Sequence, residues 1–131
     1  MKFKTMIPML NICNIDESLE FYKTALNFSI VSDPAMVQEW RWATIRSGDV
    51  ELMLAETESP PCFDKGIDPQ ENTKWPAIFY FYPASVHSLH SHLIDHGYKP
   101  TKIVDTVYGM KEFSIQDPDG HMLSFGEDAK E

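Results

Sequence analysis

Residues 11–22 read Asn-Ile-Cys-Asn-Ile-Asp-Glu-Ser-Leu-Glu-Phe-Tyr, and this stretch predicts a strand that leads directly into a helix. The strand is expected over residues 6–13. Asn14, with Glu17 three positions later, is the pattern of a helix N-terminus in which side chains cap free backbone N–H groups. Apolar residues then recur on one helical face up to about Leu26, where we expect the helix to end. These residues are Leu19, Tyr22 and Leu26.

The chain beyond this helix predicts strands and then a long connector. Asn27 tolerates the left-handed conformation that ends many helices. Three strand-like runs follow, at 28–32, 39–46 and 50–55. Ser47-Gly-Asp49 between the last two runs predicts a hairpin. Residues 57–76 are rich in proline, which predicts a connector without secondary structure.

The same order of elements returns after the connector. A strand is expected at 77–82, a helix at 86–96 between Ser85 and Gly97, and strands near 101–106, 110–116 and 121–126. Leu52-Met-Leu54 aligns with Leu123-Ser-Phe125 at an offset of about 71 residues. We therefore expect one α+β domain over residues 1–131, built from a first module at 1–56 and a second module at 77–131.

The charge and the cysteine content limit the functions to consider. The net charge is −9 at neutral pH, which repels polyanions, so nucleic acid is not an expected partner. No apolar run reaches the roughly 20 residues of a membrane span, and no apolar signal segment follows the basic N-terminus. Two cysteines are too few for a disulfide scaffold. We expect a cytoplasmic protein with no membrane partner, and we expect Cys13 to be a buried strand residue.

Both ends of the chain carry family-like motifs. Residues 11–28 resemble the "SLxFYxxxLGF" opening of the vicinal oxygen chelate superfamily, and Asp117-Pro-Asp-Gly120 with the strand after it resembles that superfamily's closing "DPDGN" hairpin. The resemblance implies two βαβββ modules that form a curved, mostly antiparallel mixed sheet around a cleft. In the metal-dependent enzymes of the superfamily, four metal-ligand positions project into that cleft.

The same resemblance places those four positions at or next to Ile7, Met53, Ile78 and Ser124. None of the four carries the imidazole, carboxylate or amide that a catalytic divalent ion requires. Glu51 is the one carboxylate within reach, since it lies two residues from Met53 on the same strand face. We therefore expect no metal, no cofactor and no catalytic residues.

Residues 108–120 resemble the "WGxxEFxxxDPxGN" segment of the bleomycin resistance proteins, with tyrosine where tryptophan is usual. The resemblance implies an acidic homodimer that sequesters a cationic small molecule. Aromatic strand residues favour a planar or cationic ligand, because aromatic faces stack on rings and attract cations. The predicted ligand-binding residues are Trp40, Trp42, Glu51, Met53, Tyr80, Tyr82, Glu112 and Ser124.

Two other functions stay open at this stage. The first is a metal-dependent lyase of the glyoxalase type or an extradiol-type dioxygenase, which would have to combine Glu51 with histidines of the second helix. Those histidines are His87, His90, His92 and His96. The second is a protein-binding domain that uses the proline-rich connector, although no recognisable peptide motif supports it.

Overall fold

A computed structural model describes residues 1–58 and 75–129. The described residues form eight strands and three helices, and the chain divides into two compact units, one within residues 1–61 and one within 62–131. Each unit contains a four-stranded sheet with one parallel and two antiparallel pairings. The predicted α+β class and its repeated module are confirmed, whereas the predicted connector lies mostly outside the described residues.

The first unit contains six elements. They are β1 (Met9–Ile12), α1 (Ile15–Thr24), β2 (Ser29–Ile30), α2 (Pro34–Trp40), β3 (Trp42–Ser47) and β4 (Val50–Glu56). The strand order is β1-β4-β3-β2, with β1 parallel to β4 and the other neighbours antiparallel. Ser47 pairs with Val50, and Gly48 between them has a φ of 57°, so the predicted hairpin is confirmed.

Local capping fixes the limits of α1. The Asn14 side chain accepts a hydrogen bond from the Glu17 N–H, and Asn27 adopts a φ of 60°. The apolar face of α1 packs against β4 and β2, and Tyr22 is fully buried with its ring edge-on to Phe28. The predicted start of the helix is confirmed, and the helix ends two residues earlier than expected.

The sequence interpretation of residues 39–46 as a strand is wrong for residues 39–41 and confirmed for 42–46. Asp33 accepts a hydrogen bond from the Ala35 N–H and Pro34 begins a seven-residue helix, α2, that ends at Trp40. An aspartate N-cap followed by proline is a standard helix start. The alternating residues 39–42 looked like a strand because Trp40 and Trp42 are two apart, but Arg41 between them is left-handed, with a φ of 53°.

The second unit contains five elements. They are β5 (Phe79–Phe81), α3 (Val86–Asp95), β6 (Val104–Asp105), β7 (Met110–Gln116) and β8 (Met122–Asp128). The strand order is β5-β8-β7-β6, with β5 parallel to β8. Ser85 caps α3 by accepting from the Ser88 N–H, and Gly97 follows the helix with a φ of 85°. The predicted start of this helix is confirmed, and the helix ends one residue earlier than expected.

The two faces of the second sheet differ in character. Helix α3 packs against β7 and β8, over a stack in which the ring of Phe125 lies 5.3 Å from that of Phe81 and 5.1 Å from that of Phe113. The opposite face carries Tyr80 and Glu112 among its residues.

None of the helices in the described part of the chain is long and apolar enough to span a membrane.

Candidate functional site

The first unit contains a cavity of about 450 Å³ at the junction of α2 and β3. Two tryptophans and one methionine supply its apolar walls, and an aspartate supplies a charge. The lining residues are Ser32, Asp33, Met36, Trp40 and Trp42. Trp40 and Met36 are exposed at 65% and 55%, so the cavity presents large apolar surfaces to solvent.

The left-handed turn at Arg41 is what brings the two tryptophans together. Trp40 is the last residue of α2 and Trp42 is the first residue of β3, so a single residue separates a helix from a strand. The sequence interpretation placed both rings on one strand face. Their shared cavity arises instead from a helix end that folds back on a strand.

Arg41 is held in this conformation by two carboxylates and one side-chain amide. Its guanidinium donates to Glu56 at 3.1 Å, to Asp16 at 3.2 Å and to the Gln38 side chain at 2.9 Å. Glu56 also accepts from the Ile15 N–H at 2.9 Å. That backbone hydrogen bond, together with Arg41, holds the pKa of the Glu56 carboxyl below its ordinary value. The network ties the ends of α2 and β4 to the start of α1.

Met53 and Glu51 lie on the same sheet face as Trp42, but neither lines the cavity. Met53 pairs with Thr44, and Ala55 pairs with Trp42. Glu51 pairs with Arg46 and forms an ion pair with it at 3.1 Å. Along β4, Met53 therefore lies two residues and Glu51 four residues from the position opposite Trp42.

The second unit carries a carboxylate flanked by two phenols. The hydroxyl groups of Tyr80 and Tyr108 both donate to Oε2 of Glu112, at 2.9 and 2.7 Å. Glu112 is 6% exposed. Burial raises the pKa of Tyr80, with Glu112 adding to the effect, and the hydrogen bond to Glu112 is the main cause of the raised pKa of Tyr108. Both phenols therefore stay protonated as donors at neutral pH.

The strand register explains how Tyr80 reaches Glu112. Tyr80 on β5 pairs with Ser124 on β8, and Glu112 on β7 pairs with Gly126 on β8. The tyrosine ring must cross β8, and it does so over Gly126, where an added Cβ would overlap the Tyr80 hydroxyl. A glycine at this position is needed for the hydrogen bond to form.

The remaining predicted residues of this unit differ in accessibility. The Tyr82 ring lies 5.2 Å from that of Tyr80 and is 76% exposed. Ser124 is 1% exposed, and its hydroxyl is hydrogen-bonded to that of Ser114 at 2.7 Å. Tyr82 therefore extends the tyrosine surface, whereas Ser124 lies beneath it.

The residues at the family's metal-ligand positions do not fit a catalytic divalent ion. Met53 pairs with Met9 and Ser124 pairs with Tyr80, which offers thioethers and hydroxyls in place of imidazoles and carboxylates. Within residues 1–58 and 75–129, no three His, Cys, Asp or Glu side chains come together as a metal-binding group.

The helix histidines make local contacts. His90 Nε2 donates to the Thr101 carbonyl at 2.9 Å, and its ring packs edge-on against Phe113. The rings of His92 and His96 lie 4.1 Å apart, and His96 Nδ1 bonds to the His92 carbonyl. These contacts give His90 and His96 structural roles in α3.

Sequence reasoning missed five residues of the two sites. Ser32, Asp33 and Met36 line the first cavity, and the signal that could have found them is the Asp-Pro helix start. Tyr108 and Gly126 complete the Glu112 cluster: Tyr108 lies in the turn four residues before Glu112, and only strand register reveals Gly126. Cys13, expected to be buried, is exposed, because it follows the last residue of β1.

The comparison with protein families agrees with this fold. The model of the Glyoxalase/Bleomycin resistance protein/Dioxygenase superfamily matches residues 6–125. The chain belongs to this superfamily. No curated protein matches the chain at a significant level.

Solved structures of other proteins share the superfamily fold at low identity. A bleomycin-binding protein complexed with bleomycin is 18% identical with a TM-score of 0.68, covering 96% of this chain and 99% of that one. A bleomycin resistance determinant encoded on the transposon Tn5 is 18% identical with a TM-score of 0.69, covering 96% and 98%. TioX from Micromonospora sp. ML1 is 14% identical with a TM-score of 0.73, covering 96% and 99%. At these identities the similarity establishes the fold alone.

Proposed function

We propose that this superfamily member binds and sequesters a small planar or cationic organic molecule without a metal ion. The observation that carries the proposal is the cavity between α2 and β3, in which Trp40 and Trp42 meet Asp33. Two indole rings suit a planar ligand, since aromatic faces stack on flat rings and attract cations. An aspartate at the same cavity favours a positive charge on that ligand.

The electrostatics of the cavity support a cation rather than an anion. One oxygen of Asp33 accepts the Ala35 N–H, and the carboxylate has no ion-pair partner among the described residues. The whole chain has a net charge of −9, which increases the encounter rate with cations. A ligand charge placed near Asp33 would therefore be attracted both locally and at long range.

The proposal includes a homodimer in the cytoplasm, as in the bleomycin resistance branch that the motifs resemble. Of the other predicted ligand residues, Glu51 and Met53 remain part of this proposal. Tyr80, Tyr82, Glu112 and Ser124 belong to the second unit, and we propose that they take part in ligand binding separately from the tryptophan cavity. Sequestration requires only affinity, so no bond of the ligand is made or broken. Light scattering on the purified protein tests the dimer.

The binding test uses thioflavin T, an aromatic cation that lacks N–H donors, and 8-anilinonaphthalene-1-sulfonate, an aromatic anion. We expect thioflavin T to bind and the anion to bind at least tenfold more weakly. Trp40→Leu should weaken thioflavin T binding by about 2- to 30-fold, the range of one cation–π contact. Phe3→Ala, which removes an exposed ring outside the cavity, is the matched control and should leave affinity unchanged.

Charge and metal dependence are tested on the same probe. Asp33→Asn keeps the helix cap, because asparagine caps as well as aspartate, and should weaken thioflavin T binding by about 2- to 5-fold at low salt. Glu39→Gln, on the same helix but outside the cavity, is its control. Affinity should be the same with and without EDTA. Equal affinity in Trp40→Leu, or loss of binding in EDTA, contradicts the proposal.

A further inference from the structure

Glu112 is a buried carboxylate that lacks a cationic partner. It is 6% exposed, and its hydrogen bonds within the described chain come from two neutral phenols, those of Tyr80 and Tyr108. A buried charge is costly unless an opposite charge or a full set of hydrogen bonds compensates it. No lysine or arginine among the described residues forms an ion pair with Glu112.

The two oxygens of this carboxylate are used unequally. Both phenols donate to Oε2, and no described residue donates to Oε1. Among the described residues, the polar side-chain atom that is fully buried and has no hydrogen-bond partner is Nε1 of Trp75. Oε1 of Glu112 also has no partner among these residues but is not in that class, so it is not fully buried and retains contact with solvent. One oxygen therefore fixes the two phenols and the other is left as an acceptor.

Aromatic side chains lie beside this carboxylate, since the phenols of Tyr80 and Tyr108 are both bonded to it. The Tyr82 ring contacts the Tyr80 ring at 5.2 Å, and the exposed fractions of Tyr82 and Tyr108 are 76% and 61%. A carboxylate oxygen beside aromatic rings is an arrangement that selects a cation able to donate hydrogen bonds and to contact a ring at the same time.

We propose that the second unit binds an organic cation bearing N–H groups, an ammonium, amidinium or guanidinium, with Oε1 of Glu112 as acceptor and the Tyr80 and Tyr82 rings in contact. The Tyr108 hydroxyl acts as a positioning group, since it holds the carboxylate through Oε2. This proposal shares the cationic ligand class with the proposed function but none of the residues of the tryptophan cavity, so each can fail alone.

The test compares three probes by ¹⁵N-resolved titration of the full chain. Benzamidine has a ring and N–H donors on a cation, benzyltrimethylammonium has the ring and charge without N–H, and benzamide is neutral. We expect benzamidine to shift the backbone amides of residues 79–82, 110–114 and 122–127 and to bind at least tenfold more tightly than the other two. Equal binding of benzamidine and benzyltrimethylammonium overturns the proposal. The proposal is also overturned if benzamidine does not bind at concentrations up to 10 millimolar, roughly the weakest affinity that such a contact gives.

Variants locate the binding and separate it from the tryptophan cavity. Glu112→Gln should lose benzamidine affinity by about tenfold or more, the effect of a charge-assisted hydrogen bond, while thioflavin T affinity stays within about twofold. Asp95→Asn, an exposed carboxylate on α3, is the matched control. Trp40→Leu should leave benzamidine binding unchanged. Unchanged benzamidine affinity in Glu112→Gln overturns the assignment.

A second variant keeps the test decisive if Glu112→Gln does not fold. Tyr82 is largely exposed, so Tyr82→Ala should retain the fold and weaken benzamidine binding by about 2- to 10-fold through loss of a ring contact. Ile94→Ala removes an exposed apolar side chain from α3 and is its control. Full benzamidine affinity in Tyr82→Ala overturns the placement of the site.

Discussion

The hydroxyl of Tyr80 lies directly over Gly126, in the space that a Cβ at this position would occupy. Gly126 is not among the residues with a positive φ, so alanine is compatible with the backbone and the conflict is with the tyrosine alone. We expect Gly126→Ala to displace the ring, break its hydrogen bond to Glu112 and destabilise the fold by about 1–3 kcal/mol, the usual cost of overpacking. Urea unfolding measures the change.

The control for Gly126→Ala is the same substitution in a Tyr80→Ala background. Without the tyrosine ring the added methyl group has room, so the two substitutions should be strongly non-additive. The same loss of stability in both backgrounds would show that the conflict is not with Tyr80.

Alkaline titration tests the state of the two phenols. Burial and the Glu112 carboxylate raise the pKa of Tyr80, and the same carboxylate raises that of Tyr108. A folded-state pKa above the unfolded value means that the folded chain holds these protons more tightly. The associated stability is complete below about pH 10, the unfolded value, and falls as the pH rises above it.

The absorbance of tyrosinate at 295 nm measures this directly. Tyr80→Phe and Tyr108→Phe should each remove a step that titrates above pH 10, and each should reduce the loss of stability between pH 10 and 11. Tyr82→Phe is the comparison for an exposed ring of the same cluster. Removal of a step near pH 10 by Tyr80→Phe would contradict the buried hydrogen bond.

Glu56 and Glu127 perform the same task in the two units. Glu56 accepts the Ile15 N–H at the start of α1 at 2.9 Å, and Glu127 accepts the Val86 N–H at the start of α3 at 2.6 Å. Each carboxylate, near the end of the last strand of its unit, satisfies a free N–H at the first turn of the helix. The repeat thus extends from the order of elements to one specific hydrogen bond.

The pKa of Glu56, lowered by the Ile15 N–H and by Arg41, gives a pH-dependent prediction. Its stabilising effect is present above the ordinary glutamate value of about 4.3 and is lost as the pH falls through the lowered folded value. The free energies of unfolding of the wild type and Glu56→Gln should therefore differ at pH 7 and converge toward pH 3. A constant difference across that range would contradict the ionised contact.

Much of the fold could be predicted from local sequence because caps and turns are local. The side chains of Asn14 and Ser85 accept hydrogen bonds from N–H groups three residues ahead. Gly97 adopts the left-handed conformation directly after α3. Helix α2 is hard to predict because two tryptophans two residues apart have the spacing of a strand, although Asp33-Pro34 is a typical helix start. Short helices are the elements that such competing patterns conceal most easily.

The candidate sites were only partly predictable, for a different reason. The residues Trp40, Tyr80 and Glu112 could be selected by their chemistry. Their partners could not, because Gly126 meets Tyr80 through the register of three strands, and Tyr108 reaches Glu112 from the turn before β7. The unequal use of the two Glu112 oxygens depends on distances that no spacing encodes.

The left-handed residue Arg41 gives the last prediction. Its φ of 53° is accessible to glycine without strain and costs other residues about 1–2 kcal/mol. Arg41→Gly and Arg41→Ala both lose the contacts to Asp16 and Glu56, but only alanine keeps the strain. We therefore expect the order of stability in urea to be wild type, then Arg41→Gly, then Arg41→Ala.

The substitution Arg41→Pro separates the effect of the left-handed backbone from the effect of the lost arginine charge. Its ring fixes φ near −65°, so Arg41→Pro cannot make the turn that places Trp40 and Trp42 in one cavity. We expect it to be the least stable variant and to lose thioflavin T binding, whereas Arg41→Gly should keep binding within about threefold because the turn is preserved. If Arg41→Ala were as stable as Arg41→Gly, the left-handed turn would not be the feature that joins α2 to β3.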